Sequence, residues 1–367
     1  MKRFLLSLLA VFASLPFLTS CDDDSNNQPS NPTVPGVTLA QSATSQTLWT
    51  GVAVLQDGRI FANFPRMDTD TVPYSVAEIR PGAAAVPFPD TTWNNWKPSL
   101  SARNRFVCVQ SVYTDANNFL WVLDAASPLM RGVVPGGAKL LKFDPNTRQL
   151  LQRIDFDETV AYPTSYLNDV RVDTQNNVAY LTDSNQGAII VVNLNTNRAR
   201  RLLGNHPSTK SENLILTVEG RIWRNRSGQL PSLDSDGLAL SPDRDYLYYH
   251  ALTARTLYRI LTAALRDESL TAAQLGQRVE VVADSGPTDG MIFDAAGNLY
   301  FTSMQLNAVT RLTPQGQFQL VAQDPQLKWP RWCAIRHHLA APYSTHSAYR
   351  AVPDFQDYTA AAVIGLE

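Results

Sequence analysis

Asn168, Asp236 and Asp289 occupy matching places, each just ahead of a strand-like segment (VRVD, LALS and MIFD), 68 and 53 residues apart. Two carboxylates and an amide oxygen are hard donors of the kind that Ca²⁺ or Mg²⁺ takes, with waters or backbone carbonyls completing six to eight oxygens. Without a metal, two acids brought together would repel, and one would tend to hold a proton. Each residue alone also has a plain structural role, because Asp and Asn cap turns by accepting from backbone N–H groups two residues on. They act together only if the fold converges them. His206, in the loop GNHPST, is a further candidate ligand at a channel mouth. Thr302 is a pocket-lining candidate that strand packing explains equally well, as are Tyr166, Met304 and Asn307. Arg171 stands two residues after Asp169 on the same strand face and would neutralise it. His250, after two tyrosines, reads as a packed histidine, and Cys108, in FVCVQ, as a buried, inert thiol.

Other chemistries have nothing to stand on. No GxSxG elbow, HExxH, Walker loop or GxGxxG occurs. The 367 residues carry 31 Lys and Arg against 33 Asp and Glu, so no basic excess marks a nucleic-acid partner. The 44% hydrophobic content is ample for a core and excludes a disordered chain. Three cysteines, Cys21, Cys108 and Cys333, cannot build a disulfide framework, and no spacing suggests structural zinc. The chain is expected to be a monomer.

The elements that must position the candidates form a repeat: an alternating strand, an Asp/Asn/Gly turn, then an aromatic-rich strand. It recurs at 52–66, 111–126, 169–184, 238–253 and 291–305. The turn acids Asp57, Asp115, Asp173, Asp243 and Asp294 are separated by 58, 58, 70 and 51 residues. That period fits four short strands per unit, a propeller blade. Trp121, Tyr180, Tyr248 and Tyr300 recur at one place in the repeat, as interblade core would. The expectation is an all-β, six-bladed β-propeller over residues 45–330, with its last blade atypical or incomplete. Residues 331–367 lack the Asp-Gly turn and the aromatic strand. Either the closing blade has diverged or this terminus comes from a shifted reading frame.

Residues 1–20 have a positive start (Lys2, Arg3) and a short apolar run, a signal-peptide pattern. The following Leu18-Thr19-Ser20-Cys21 resembles the bacterial lipobox. This implies cleavage before Cys21, lipidation of its sulfur, and an exported lipoprotein of the cell envelope, facing the periplasm or the surface and held to a membrane by its acyl chains. Residues 21–44 are polar and Pro-rich at first and are expected to be a disordered tether.

FVCVQSVYTDANNFLWVLDAA, YLNDVRVDTQNNVAYLTDSNQGAIIVVNL and TDGMIFDAAGNLYFTSMQLNAVTRL, with the segments between them, resemble the yellow/major royal jelly protein family over about residues 45–330. The resemblance implies a six-bladed propeller and leaves activity open, since most bacterial members have none established. A more distant resemblance is to lactonases of the gluconolactonase/regucalcin type, which hold a divalent metal in the channel. Asp289-Gly290-Met291, Asp236-Gly237-Leu238 and Asn168-Asp169 sit where three of their four ligand segments lie. The fourth, a Glu, would fall near Trp49-Thr50-Gly51, where no acid stands. Three expectations follow. The first is an envelope propeller binding a small cationic or aromatic molecule through Asn168, Asp236, Asp289, His206 and Thr302. The second is a Ca²⁺-dependent lactonase with Asn168, Asp236 and Asp289 as metal ligands and Asp169 as base. The third is a non-catalytic scaffold.

Overall fold

Asp, Asn and Gly turns between alternating apolar segments give antiparallel hairpins, and the chain joins such hairpins in pairs. The computed structural model describes residues 39–45, 47–80, 82–225, 227–325, 327–335, 342–346 and 361–366. The expected signal peptide, Cys21 and most of the expected tether lie outside these residues.

Five four-stranded antiparallel blades follow in chain order. Blade one comprises Val52–Val54, Ile60–Asn63, Val76–Ile79 and Val86–Pro87. Blade two comprises Val109–Thr114, Leu120–Asp124, Lys139–Phe143 and Leu150–Asp155. Blade three comprises Leu167–Asp173, Val178–Asp183, Ala188–Asn193 and Arg198–Leu202. Blade four comprises Ser235–Leu240, Tyr246–Ala251, Thr256–Leu261 and Glu280–Asp284. Blade five comprises Thr288–Phe293, Leu299–Ser303, Ala308–Leu312 and Phe318–Gln323. The fold is an all-β propeller.

A further sheet has the order Leu39–Ser45, Ala361–Leu366, Pro342–His346, Pro330–Ile335. Its first strand lies mostly within the stretch expected to be a tether. Its other three occupy the region where the repeat pattern disappears. Backbone pairing such as Leu39 with Leu366 needs no Asp-Gly turn, which is why the motif gave no sign of it. Successive inner strands touch one another, and Pro330–Ile335 touches those of both blade five and blade one.

The core lies between blade faces. Trp121 packs with Val170 and Leu181 between blades two and three. Tyr180 packs with Leu238 and Tyr249 between blades three and four, and Tyr248 joins the next cluster beside Met291 and Phe301. Fully burying one such apolar side chain is worth about 1.5–3 kcal/mol. In blades two and five the turn acid ties the hairpin to this core. Asp115 accepts from the backbone of Asn117 and Phe119 and from Trp121 Nε1 at 2.8 Å. Asp294 likewise accepts from the Asn298 backbone and the Tyr300 hydroxyl.

Candidate functional site

In blades two to five the inner strand begins with a break in register against its neighbour, at Val109/Ser111, Leu167/Val170, Ser235/Leu238 and Thr288/Met291. Such bulges re-aim a side chain. The residues they re-aim are Gln110, Asn168, Asp236 and Asp289, and all four line one cavity. The inner strands must approach closely here. A Cβ on Gly237 would stand 2.5 Å from the Asp289 carbonyl oxygen, so this position needs glycine.

Loops on the same end of the propeller form the walls. Met67 follows the second strand of blade one, and Met130 that of blade two. Tyr166 precedes blade three, and Ser184 and Leu252 follow second strands in blades three and four. The connection 203–234 between blades three and four carries a short ladder, Thr217–Val218 with Arg221–Ile222, and supplies Trp223 and Leu233. Trp329, between blade five and the following strand, completes the wall and meets Trp223 edge to face at 4.7 Å. The space, mouth included, is about 400 Å³.

The polar groups are oriented by hydrogen bonds. The Tyr166 hydroxyl donates to Gln110 Oε1 at 2.8 Å, and Gln110 Nε2 donates to Asn168 Oδ1 at 2.8 Å. Trp329 Nε1 donates to Asp289 Oδ2 at 2.6 Å. Among the described residues that line the cavity, two are carboxylates and none is Lys, Arg or His.

Asn168, Asp236 and Asp289 therefore share one cavity. The other expected site residues do not line it. Asp169 is fully buried and accepts from Arg171 Nη1 at 2.5 Å and from the Val170 and Leu238 backbone. Burial pushes its carboxyl up to about 6 against the opposing pull of Arg171. Those contacts hold its carboxylate in the Arg171 network, and it is not among the cavity-lining residues. His206 caps a short 3₁₀ turn, Pro207–Thr209, accepting from Ser208 N, and burial lowers its pKa. Its Nδ1 is held by Ser208 of the same loop, and the residue does not line the cavity. Thr302 is buried, and its hydroxyl accepts from Gly290 N at 2.7 Å. Strand packing, the alternative weighed from sequence, accounts for it. Cys21 lies outside the described residues.

The first-blade counterpart of the four cavity residues is Thr50. Its hydroxyl donates to the Gln110 carbonyl and accepts from Asn63 Nδ2. The full lactonase-type donor set is thus not present, since no acid stands there. Among the described residues no group of three or more His, Cys, Asp or Glu is close enough to hold a metal ion.

Sequence reasoning passed over Gln110, Trp223 and Trp329. Gln110 was legible: it stands five residues ahead of its turn acid Asp115, as Asn168 does ahead of Asp173 and Asp289 ahead of Asp294. Trp223 and Trp329 sit in connections outside the repeat, where no spacing points to them.

Comparison with solved structures supports the fold. A gluconolactonase from Xanthomonas campestris superposes with a TM-score of 0.54 at 13% identity, covering 90% of this chain and 89% of its own. A luciferin-regenerating enzyme gives 0.52 at 13% identity, covering 90% and 95%. Among curated proteins, major royal jelly protein 7 of Apis mellifera is 29% identical over 189 residues, 49% of this chain and 40% of its own length. Major royal jelly protein 5 of the same organism is 26% identical over 238 residues, 62% and 38%. The matches thus span about two fifths of those relatives. The family model described as "Major royal jelly protein" matches residues 107–343, more than half of the sequence, and the chain belongs to that family.

Proposed function

We propose that this propeller binds a small organic cation with an aromatic or apolar body in the cavity at its mouth. One observation carries the reading. Asp236 and Asp289 face the same cavity as Trp223, Trp329 and Tyr166. Carboxylates attract the charge, and aromatic faces add cation–π attraction of about 0.5–2 kcal/mol. The apolar residues Met67, Met130, Leu233 and Leu252 suit a ligand body that leaves water, as ligand sites generally require. The test is titration with phenethylamine against neutral 2-phenylethanol, followed by tryptophan emission. The reading expects saturable binding of the amine and much weaker binding of the alcohol; equal binding of both, or of neither, counts against it.

Divalent-metal binding is the second reading, and what favours it is the same trio of oxygen-bearing side chains. It ranks lower because Thr50 stands in place of an acid. In addition, Asn168 Oδ1 and Asp289 Oδ2 already accept N–H bonds. Calorimetric titration with Ca²⁺ separates the two: tight stoichiometric uptake abolished by Asp289→Ala supports the metal, and silence supports the amine. A lactonase activity would rest on that metal reading.

The proposed whole is a six-bladed ring closed by the sheet that joins Leu39–Ser45 to the C-terminal strands. This is supported by the contacts of Pro330–Ile335 with blades five and one. The signal-like residues 1–20 and the Leu18–Cys21 pattern support export and lipid anchoring in the envelope. Replacing Cys21 with Ser is expected to release the protein from the membrane fraction, and unchanged fractionation would contradict the anchor.

A further inference from the structure

We propose that the buried Asp169–Arg171 pair, together with Thr182, is a positioning device that sets the spacing of Asn168, Asp236 and Asp289 around the cavity. The inference rests on the binding reading of that cavity.

The network touches the backbone beside every one of these side chains. Asp169 follows Asn168 directly, and its N–H donates to Thr182 Oγ1 at 3.1 Å. Thr182 Oγ1 in turn donates to the carbonyl of Asp236 at 2.5 Å. Asp169 Oδ2 accepts from the N–H of Leu238, two residues beyond Asp236. Arg171 Nη1 donates to Asp169 Oδ1 and to the Val170 carbonyl, while Nη2 donates to the carbonyl of Met291, two residues beyond Asp289. The guanidinium also lies 5.3 Å from the Tyr113 ring of blade two. A single side chain on blade three thus reaches blade five, past blade four.

Geometry explains why arginine is required. A planar guanidinium serves two acceptors in fixed directions, and an ammonium does not. Bulged strand ends have lost ladder hydrogen bonds and need other partners to hold them. The network supplies those partners at the bulges of blades three, four and five, where Asn168, Asp236 and Asp289 sit.

The experiment compares Arg171→Met and Arg171→Lys with Leu265→Ala, a truncation in the packing between blades three and four outside this network. Two quantities are read: the preference for phenethylamine over 2-phenylethanol, and the indole proton resonance of Trp329, assigned with Trp329→Phe. That resonance reports Asp289 without any ligand. Positioning predicts that Arg171→Met loses at least tenfold of the preference and shifts the indole resonance. Arg171→Lys, which keeps a cation beside Asp169, should show the same changes to a smaller extent. Leu265→Ala should lower the melting temperature and leave both unchanged. An unshifted resonance in both Arg171 variants, or equal shifts in Leu265→Ala, overturns the proposal. If wild type does not bind the amine, the binding reading fails and the resonance alone decides this one.

Discussion

Trp329 Nε1 donates to Asp289 Oδ2 at 2.6 Å, joining the acid of blade five to the connection that leads into the next strand. The bond fixes one carboxylate oxygen against the cavity wall and leaves the indole edge-on to Trp223. Hydrogen bonds to charged groups contribute about 1.5–3 kcal/mol. Trp329→Phe keeps an aromatic wall and removes the donor. It should lower stability by about that amount in urea denaturation and weaken amine binding; unchanged midpoint and affinity would show the bond to be idle.

Gly237→Ala tests the close approach of inner strands. The new Cβ meets the backbone oxygen of Asp289 at 2.5 Å, a contact that no side-chain rotation relieves. Overpacking of this kind costs about 1–3 kcal/mol. Thermal melting should show that loss, and titration should show a loss of affinity larger than that of an equally destabilised variant remote from the cavity.

Lys139 and Asp124 form a wholly buried ion pair at 2.9 Å, within which Asp124 also accepts from the Val107, Cys108 and Ala126 backbone. Lys139→Ala leaves the carboxylate buried without its cation. Breaking such a pair costs about 3–5 kcal/mol. Equilibrium unfolding should show a loss of that size, and a loss below 1 kcal/mol would contradict the burial.

Two buried groups pull acid stability in opposite directions. Desolvation pushes His250 down to about 4, so it stays neutral in the fold while the unfolded chain protonates near 6.5. Its contribution is intact above 6.5 and is lost as pH falls towards 4. Burial pushes Asp169 up to about 6, above its unfolded value of 3.8. Its contribution is present below 3.8 and is lost as pH rises through 6. Between 4 and 6 the two offset each other. His250→Phe should therefore leave a protein whose stability falls as pH rises across that window, and Asp169→Asn one whose stability falls as pH drops. Melting temperatures at pH 4, 5 and 6 check both slopes.

The blades were legible because their period is written twice, in the turn acids and in the aromatic strands. In blades two and five turn acid and aromatic are hydrogen-bonded partners, Asp115 with Trp121 and Asp294 with Tyr300. Asn168, Asp236 and Asp289 were legible because they keep one place, the second residue of the inner strand in blades three, four and five. What the sequence concealed lies outside the repeat. Trp223 arrives on a long connection, and the strands Leu39–Ser45 and Ala361–Leu366 pair without the repeat's turn between them. Asp169 misled because it adjoins a cavity residue; the side chains on either side of a bulge face different surroundings, and its own points into the Arg171 network.

Calorimetric titration with phenethylamine, on wild type and on Asp236→Asn, tests the central claim most directly. The account predicts one site per chain in the wild type, with 2-phenylethanol at least tenfold weaker and that margin erased in Asp236→Asn. Heat that matches buffer dilution, or an amine affinity indifferent to Asp236, would contradict it.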